Sequence, residues 1–268
     1  MRPAWSDAFL PDAVELVAGI NAAPTREWAF AGASGRGVRV AIVDSGVDKT
    51  HPAVVGSFAA GASLTWDRDL EAVTTEDGDH PDLFGHGTAC AGIVRALAPD
   101  CEISSVRVLG SNLTGKGQVF AAGLRWALDS GARVINLSLS TGRPDFFGLF
   151  HEVADEAHHA GVVLVCAMNN VPSPTYPSQY ASVISVAASD PSDDEIALLC
   201  AARPPADFGA PGLDVEVAWL GGTTMKMTGN SFAAAHVSGL VARILSKHPH
   251  LRPYEVKSVL RAVATNAR

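Results

Sequence analysis

From residue 37 onward, short apolar runs alternate with longer stretches in which apolar side chains recur at helical spacing. Gly37-Val38-Arg39-Val40-Ala41-Ile42-Val43 reads as a short buried strand. An acidic stretch follows, through Asp67, Asp69, Glu76, Asp77, Asp79 and Asp82, and its polarity predicts a loop, either a lid or a disordered insertion. Residues 87–97 predict a helix and Glu102 to Val108 a strand. Gln118 to Ser130 has helical periodicity, with Phe120, Leu124, Trp126, Ala127 and Leu128 available for burial. Val134 to Leu139 is the next strand, Leu149 to Ala160 the next helix, and Val162 to Ala167 and Val183 to Ala187 two more strands. A helix from Gly229 to about Lys247 ends at His248-Pro249, because the residue before a proline disfavours helical backbone. Pro253 suits the first turn of a last helix, 253–264. Strand and helix in alternation imply βαβ units: an α/β fold of three layers, with a mostly parallel central sheet and helices on both faces. No linker, repeat or low-complexity tract interrupts the pattern, so one domain is expected over 1–268, with a lead segment at 1–35 and a core at about 36–265.

Composition narrows this picture. A chain of 268 residues buries a real core without disulfides or metal, and 47% hydrophobic against 18% charged residues excludes disorder. The 28 acidic and 20 basic side chains leave a net charge of −8, which opposes sequence-independent binding of nucleic acid. No uninterrupted apolar run approaches the ~18 residues of a membrane span, so no membrane partner is expected. Asp7, Asp12 and Glu15 break up any signal-peptide core near the N-terminus. Cys90, Cys101, Cys166 and Cys200 form no CxxC pair and read as free thiols, which makes a cytoplasmic location the expectation, or a secreted one if a leader has been removed.

Three segments carry chemistry. In Ala41-Ile42-Val43-Asp44-Ser45-Gly46-Val47-Asp48, an acid follows a parallel strand, where open α/β sheets place their sites. In Gly85-His86-Gly87-Thr88, a histidine opens a helix between glycines that admit close backbone approach. In Thr228-Gly229-Asn230-Ser231-Phe232-Ala233-Ala234-Ala235-His236, a serine starts a helix of small residues. Each has a bland counterpart: a turn aspartate, a surface histidine, an N-cap serine. Together they stand in one of the three known chain orders of the Asp, His, Ser triad. Serine needs a base in contact to be nucleophilic, histidine titrates near working pH, and the aspartate would hold the imidazole tautomer.

On these motifs the chain resembles the subtilisin family of serine proteases over about residues 20–265. The resemblance implies the subtilisin-like fold and a serine endopeptidase that cleaves peptide bonds through an acyl-enzyme, with Asp44, His86 and Ser231 as triad. It implies an oxyanion role for Asn169 beside the Ser231 backbone N–H. It points to Leu137, Ser138, Leu139 and Ser140 with Ala167 and Met168 on one side of a bound peptide, and to Thr114, Gly115, Lys116 and Gly117 on the other. Leu109 and Leu113 would add apolar subsites. The chain departs from the family's usual pattern at Asn230, Ala235, Met168 and Ser140, and Met168 would narrow the primary pocket.

No metal or cofactor is expected. The family's calcium loop is missing where Val94-Arg95-Ala96-Leu97-Ala98-Pro99 runs straight on, and Ala53 follows His51-Pro52 where a carboxylate is usual. Calcium needs six to eight oxygens. The stretch Glu76 to Asp82 reads as a solvated acidic loop; a different cation, or contact with a basic substrate residue near His86, are its lesser readings. Cys90 lies one helical turn past His86, where a cysteine in some relatives confers sensitivity to mercurials, and is not placed in the reaction. His151-Glu152 and His158-His159 do not form HExxH and read as a solvated helix face. With little chain ahead of the core and no leader, a foldase propeptide is not expected, and an intracellular or dedicated processing protease is. The alternatives are a peptide macrocyclase or ligase on the same scaffold, and a silent pseudoprotease that binds peptide. The partner is a peptide or protein substrate; the oligomeric state is left open.

Overall fold

The computed structural model describes residues 23–267. Its first core strand, β1 (Arg39–Asp44), shows how the layers form. Successive strand side chains point to opposite faces. Val40 and Ile42 enter the core beneath one set of helices, and Ala41 and Val43 enter the core on the other face. All four are fully buried, which is why the run is continuously apolar and not alternating.

The other strands are β2 (Ala62–Asp67), β3 (Ala72–Asp77), β4 (Glu102–Arg107), β5 (Val134–Leu137), β6 (Val163–Ala167), β7 (Ile184–Ser189), β8 (Leu199–Cys200) and β9 (Phe208–Pro211). They form one sheet in the order β3-β2-β4-β1-β5-β6-β7-β9-β8. The ladder from β2 through β9 is parallel; β3 and β8 close its edges antiparallel. Strands β2 to β4 lie on one side of β1, with β4 returning to sit beside it, and β5 onward lie on the other, so the strand order reverses at β1. Crevices for ligands open at the carboxyl ends of strands at such points. Asp44 is the last residue of β1.

One face carries α2 (His86–Leu97), α5 (Asn230–Lys247) and α6 (Pro253–Val263); the other carries α3 (Gly117–Asp129) and α4 (Phe147–His159). The short α1 (Arg26–Phe30) lies against α5 and α6. Gly239 of α5 is what lets α2 approach: a Cβ there would sit 2.8 Å from Leu97 Cβ.

Two regions differ from the sequence expectation. The acidic stretch begins in a β2–β3 hairpin rather than a lid or disordered loop, with Ala62 opposite Asp77 and Asp67 opposite Ala72. β3 is an exposed edge, so its polar side chains hide the strand signal that Val73, Thr74 and Thr75 carry. The segment before the nucleophile, which sequence periodicity left blank, forms a second hairpin of β10 (Val215–Trp219) and β11 (Thr223–Met227). Its turn uses Gly221 and Gly222 at positive φ.

Candidate active site

Asp44, His86 and Ser231 come from three different elements. Asp44 is fully buried at the end of β1. Its Oδ1 accepts the Ser45 N–H at 2.8 Å, and the His86 Nδ1–H approaches Oδ1 at 2.8 Å and Oδ2 at 2.9 Å. The imidazole is thereby held as the tautomer that leaves Nε2 free to accept a proton.

His86 opens α2, and the glycines around it are there for space. Gly85 has φ of 112°, and a Cβ there would meet the Trp219 ring at 2.7 Å. A Cβ on Gly87 would lie 2.0 Å from the Gly46 carbonyl oxygen, so only glycine lets α2 start against the turn that follows β1. Asp82 anchors the same start. Its buried carboxylate accepts the N–H groups of Phe84, Gly85 and Thr88 and the hydroxyls of Ser45 and Thr88. A carboxylate at a helix N-terminus satisfies donors that would otherwise be orphaned. The lone acid at the end of the acidic stretch is therefore built into the site, not solvated. Asp79 pairs with Lys49, and Asp77 accepts from the Trp126 indole at 2.8 Å.

Burial alone would push the His86 pKa down. The charge of Asp44 and its hydrogen bond, with the charge of Asp82 added, more than reverse this, so the group titrates above its ordinary 6.5.

Ser231 is the second residue of α5. Its Oγ donates to the Ser138 carbonyl at 3.3 Å, and among the described residues no hydrogen bond joins it to His86. Beneath it a polar chain ties the sheet to the helix. Ser238 Oγ donates to Asn136 Oδ1 (3.0 Å), Asn136 Nδ2 to Ser138 Oγ (2.9 Å), and Ser138 Oγ to the Ser231 carbonyl (3.3 Å). Cys90 Sγ lies 3.5 Å from Ser138 Oγ. Burial, with the Asp44 charge added, holds its thiol well above the ordinary value and so protonated. The side-chain donor atoms of Asp44, His86 and Cys90 all lie within 4.8 Å of one another, but Asp44 and His86 are bound to each other and the Cys90 thiol is held protonated.

His86 and Ser231 line one cleft of about 630 Å³. Ser138, Leu139 and Ser140 form one wall, and Thr114, Gly115, Lys116 and Gly117 another, with Leu109 and Leu113 also lining it. Gly115 and Gly117 have a packing reason as well: a Cβ on either would lie 2.5–2.6 Å from the rings of Phe120 or Phe146. Leu137, Ala167 and Met168 are not among the lining residues. Leu137 and Ala167 are core, and Met168 is engaged through its backbone, donating to Val186 O at 2.8 Å.

Asn169 is also turned away. Its amide donates to Ser173 Oγ at 2.8 Å, and its Oδ1 accepts the Val171 N–H. The neighbouring Asn170 lines the cleft instead, with its Oδ1 held by the Asn230 backbone N–H at 3.0 Å. Asn230 fixes this loop further. Its Nδ2 donates to the carbonyls of Met168 and Asn169, and its Oδ1 accepts the Ala188 N–H. The resemblance pointed to Asn169, and sequence alone carried no sign of which of the two adjacent side chains faces the cleft.

Helix α2 is continuous from His86 to Leu97. His151 pairs with Asp155 at 3.5 Å and Glu152 with Arg125 at 3.3 Å, on an open face of α4.

The model of the subtilase family matches residues 35–268. The chain belongs to the subtilase family. Subtilases are serine-type endopeptidases, and this is the class to which the chain is assigned. It is 33% identical to subtilisin E of Bacillus subtilis (strain 168) over 249 residues, 87% of this chain and 62% of that protein. Subtilisin Savinase of Lederbergia lenta is 32% identical over 88% of this chain and 86% of its own length. Subtilisin of Bacillus pumilus is 33% identical over 87% and 86%. A solved structure, the crystal structure of a cold adapted subtilisin-like serine proteinase, superposes with a TM-score of 0.67 at 24% identity, covering 85% of this chain and 82% of that one. That likeness confirms the three-layer subtilisin-like fold.

Proposed function

We propose that this subtilase is an active endopeptidase whose triad is Asp44, His86 and Ser231, with Asn170, not Asn169, as its oxyanion donor. The observation that carries the reading is the Asp44–His86 pair at 2.8 Å, set at the mouth of the cleft that Ser231 lines. A rotation of the Ser231 hydroxyl from the Ser138 carbonyl toward His86 Nε2 makes the attacking geometry; such contacts are commonly loose before substrate binds. Ser231 Oγ then attacks the scissile carbonyl carbon while its proton passes to Nε2. Asp44 stabilises the imidazolium without taking the proton. The carbonyl oxygen gains charge and is met by the Ser231 N–H, at the positive end of α5, and by Asn170 Nδ2, whose partner oxygen is already fixed by Asn230. Collapse expels the amine with the proton from His86, and water repeats the sequence on the acyl-enzyme.

No cofactor is proposed. Four free thiols, three of them buried, support a reducing compartment and an intracellular processing role. The test is intact mass after a fluorophosphonate probe. One adduct on the wild type and none on Ser231→Ala is the expected result, followed by peptide products that have gained water. A folded wild type that takes no adduct sinks the proposal in favour of a silent peptide binder, and products lacking the added water favour the ligase.

A further inference from the structure

The wall of the catalytic cleft is shared. Leu109, Thr114, Gly115 and Lys116 also bound a second cavity of about 420 Å³ on the other side of that segment, with Leu64, Val108 and Val119 supplying apolar surface. Two cations line it. Lys116 Nζ lies 3.9 Å from the Trp66 ring centroid, a contact that holds the ammonium without neutralising it. Arg107, the last residue of β4, donates to Ser63 Oγ at 3.0 Å and to the Pro81 carbonyl at 3.1 Å, both neutral acceptors. Among the described residues no carboxylate forms an ion pair with either. None lines this cavity or the catalytic cleft. Arg143, which lines the catalytic cleft with Lys116, is answered by Asp145 at 3.2 Å. The chain as a whole carries −8, so two unanswered cations on a cavity that shares wall residues with the catalytic cleft form a basic spot on an acidic molecule.

We propose that this cavity is a subsite for an acidic substrate side chain, with Arg107 and Lys116 as its specificity-determining residues. The apolar surface takes the methylenes of a glutamate, and the cations take its carboxylate. A lysine or arginine at the same substrate position meets two like charges, so the subsite selects by repulsion as well as by attraction. The proposal rests on the protease reading above.

Quenched fluorescent peptides, scanned position by position on both sides of the scissile bond, test it with Glu, Gln and Lys as the compared residues. At one position Glu is expected to exceed Gln in kcat/KM by roughly 3- to 10-fold at low ionic strength, with Lys the poorest. The Glu to Gln ratio should shrink toward one in about 0.5 M salt and in the Arg107→Gln/Lys116→Gln double variant. Because each ratio is taken within one protein, any general loss in the variant cancels. A ratio of one at every position overturns the proposal, as does a preference that survives in the double variant. If nothing is cleaved and Ser231 takes no probe, the protease reading fails separately. The same ratio, read from equilibrium binding of the peptides to Ser231→Ala with and without the double substitution, then decides the subsite.

Discussion

At the residue scale, the two adjacent asparagines give the sharpest contrast. Asn170 faces the cleft with its oxygen tied down, whereas Asn169 donates to Ser173. Asn170→Ala should lower kcat by about 100- to 1000-fold with KM little changed; that range is the loss measured when the corresponding donor is removed from subtilisin itself. Asn169→Ala should leave kcat within a few-fold of wild type, and steady-state kinetics of the two variants checks the pair. His86 offers a second measurement. Its raised pKa means that the neutral base is lost as pH falls through a value above 6.5, so the acid limb of kcat/KM should lie above pH 6.5. Asp82→Asn removes one of the charges that raise it, and the limb should move toward lower pH. A limb that stays in place would show that Asp82 acts only as the cap of α2.

At the scale of elements, the site depends on how closely α2 and α5 approach each other and the sheet. Ala233, Ala234, Ala235, Ser238 and Gly239 keep the buried side of α5 thin enough for this. Gly239→Ala puts a methyl 2.8 Å from Leu97 Cβ. Since helix propensity alone favours alanine, a stabilising effect would be expected from an exposed position. Here overpacking should win, with a loss of about 1–3 kcal/mol in denaturant unfolding. Helices α2 to α6 and the strands β1, β4, β5, β6 and β7 were legible because each keeps its period over its whole length, whereas the short α1, β2 and β9 were not read. The hairpins were not: β3 is a polar edge, and β10 pairs with β11 in a sheet of its own, so neither leaves a continuous apolar signature.

At the scale of the whole molecule, two half-buried histidines on one helix-bearing face are both pushed down by burial, yet end on opposite sides of the ordinary value because only His86 has carboxylates beside it. His236 is pushed below 6.5 by burial, against which its hydrogen bond to the Ile196 carbonyl pulls upward. His86 is raised. With an unfolded value near 6.5 for both, His236 contributes stability that is present above pH ~6.5 and lost as pH falls through its folded value. His86 contributes stability present below pH ~6.5 and lost as pH rises through its folded value. Imidazole titration by NMR on the intact protein should therefore show one resonance set with its midpoint below 6.5 and one above. Two midpoints at the same pH would contradict this assignment of the burial and charge terms.

The candidate chemistry and the order of elements along the chain were legible in local sequence. The motifs around Asp44, His86 and Ser231, and the alternation of strand and helix, are read within a few residues, because backbone period and residue type are local properties. The tertiary structure alone decided which groups face one another. It turned the side chain of Asn170 rather than Asn169 toward the cleft, folded Asp82 into the start of α2, and put Arg107 and Lys116 on one cavity from opposite ends of a loop. The first depends on the distance between a loop and a helix 60 residues further on, fixed by packing against the sheet; the other two depend on the path each short loop takes over that packed surface, which residue type alone does not set.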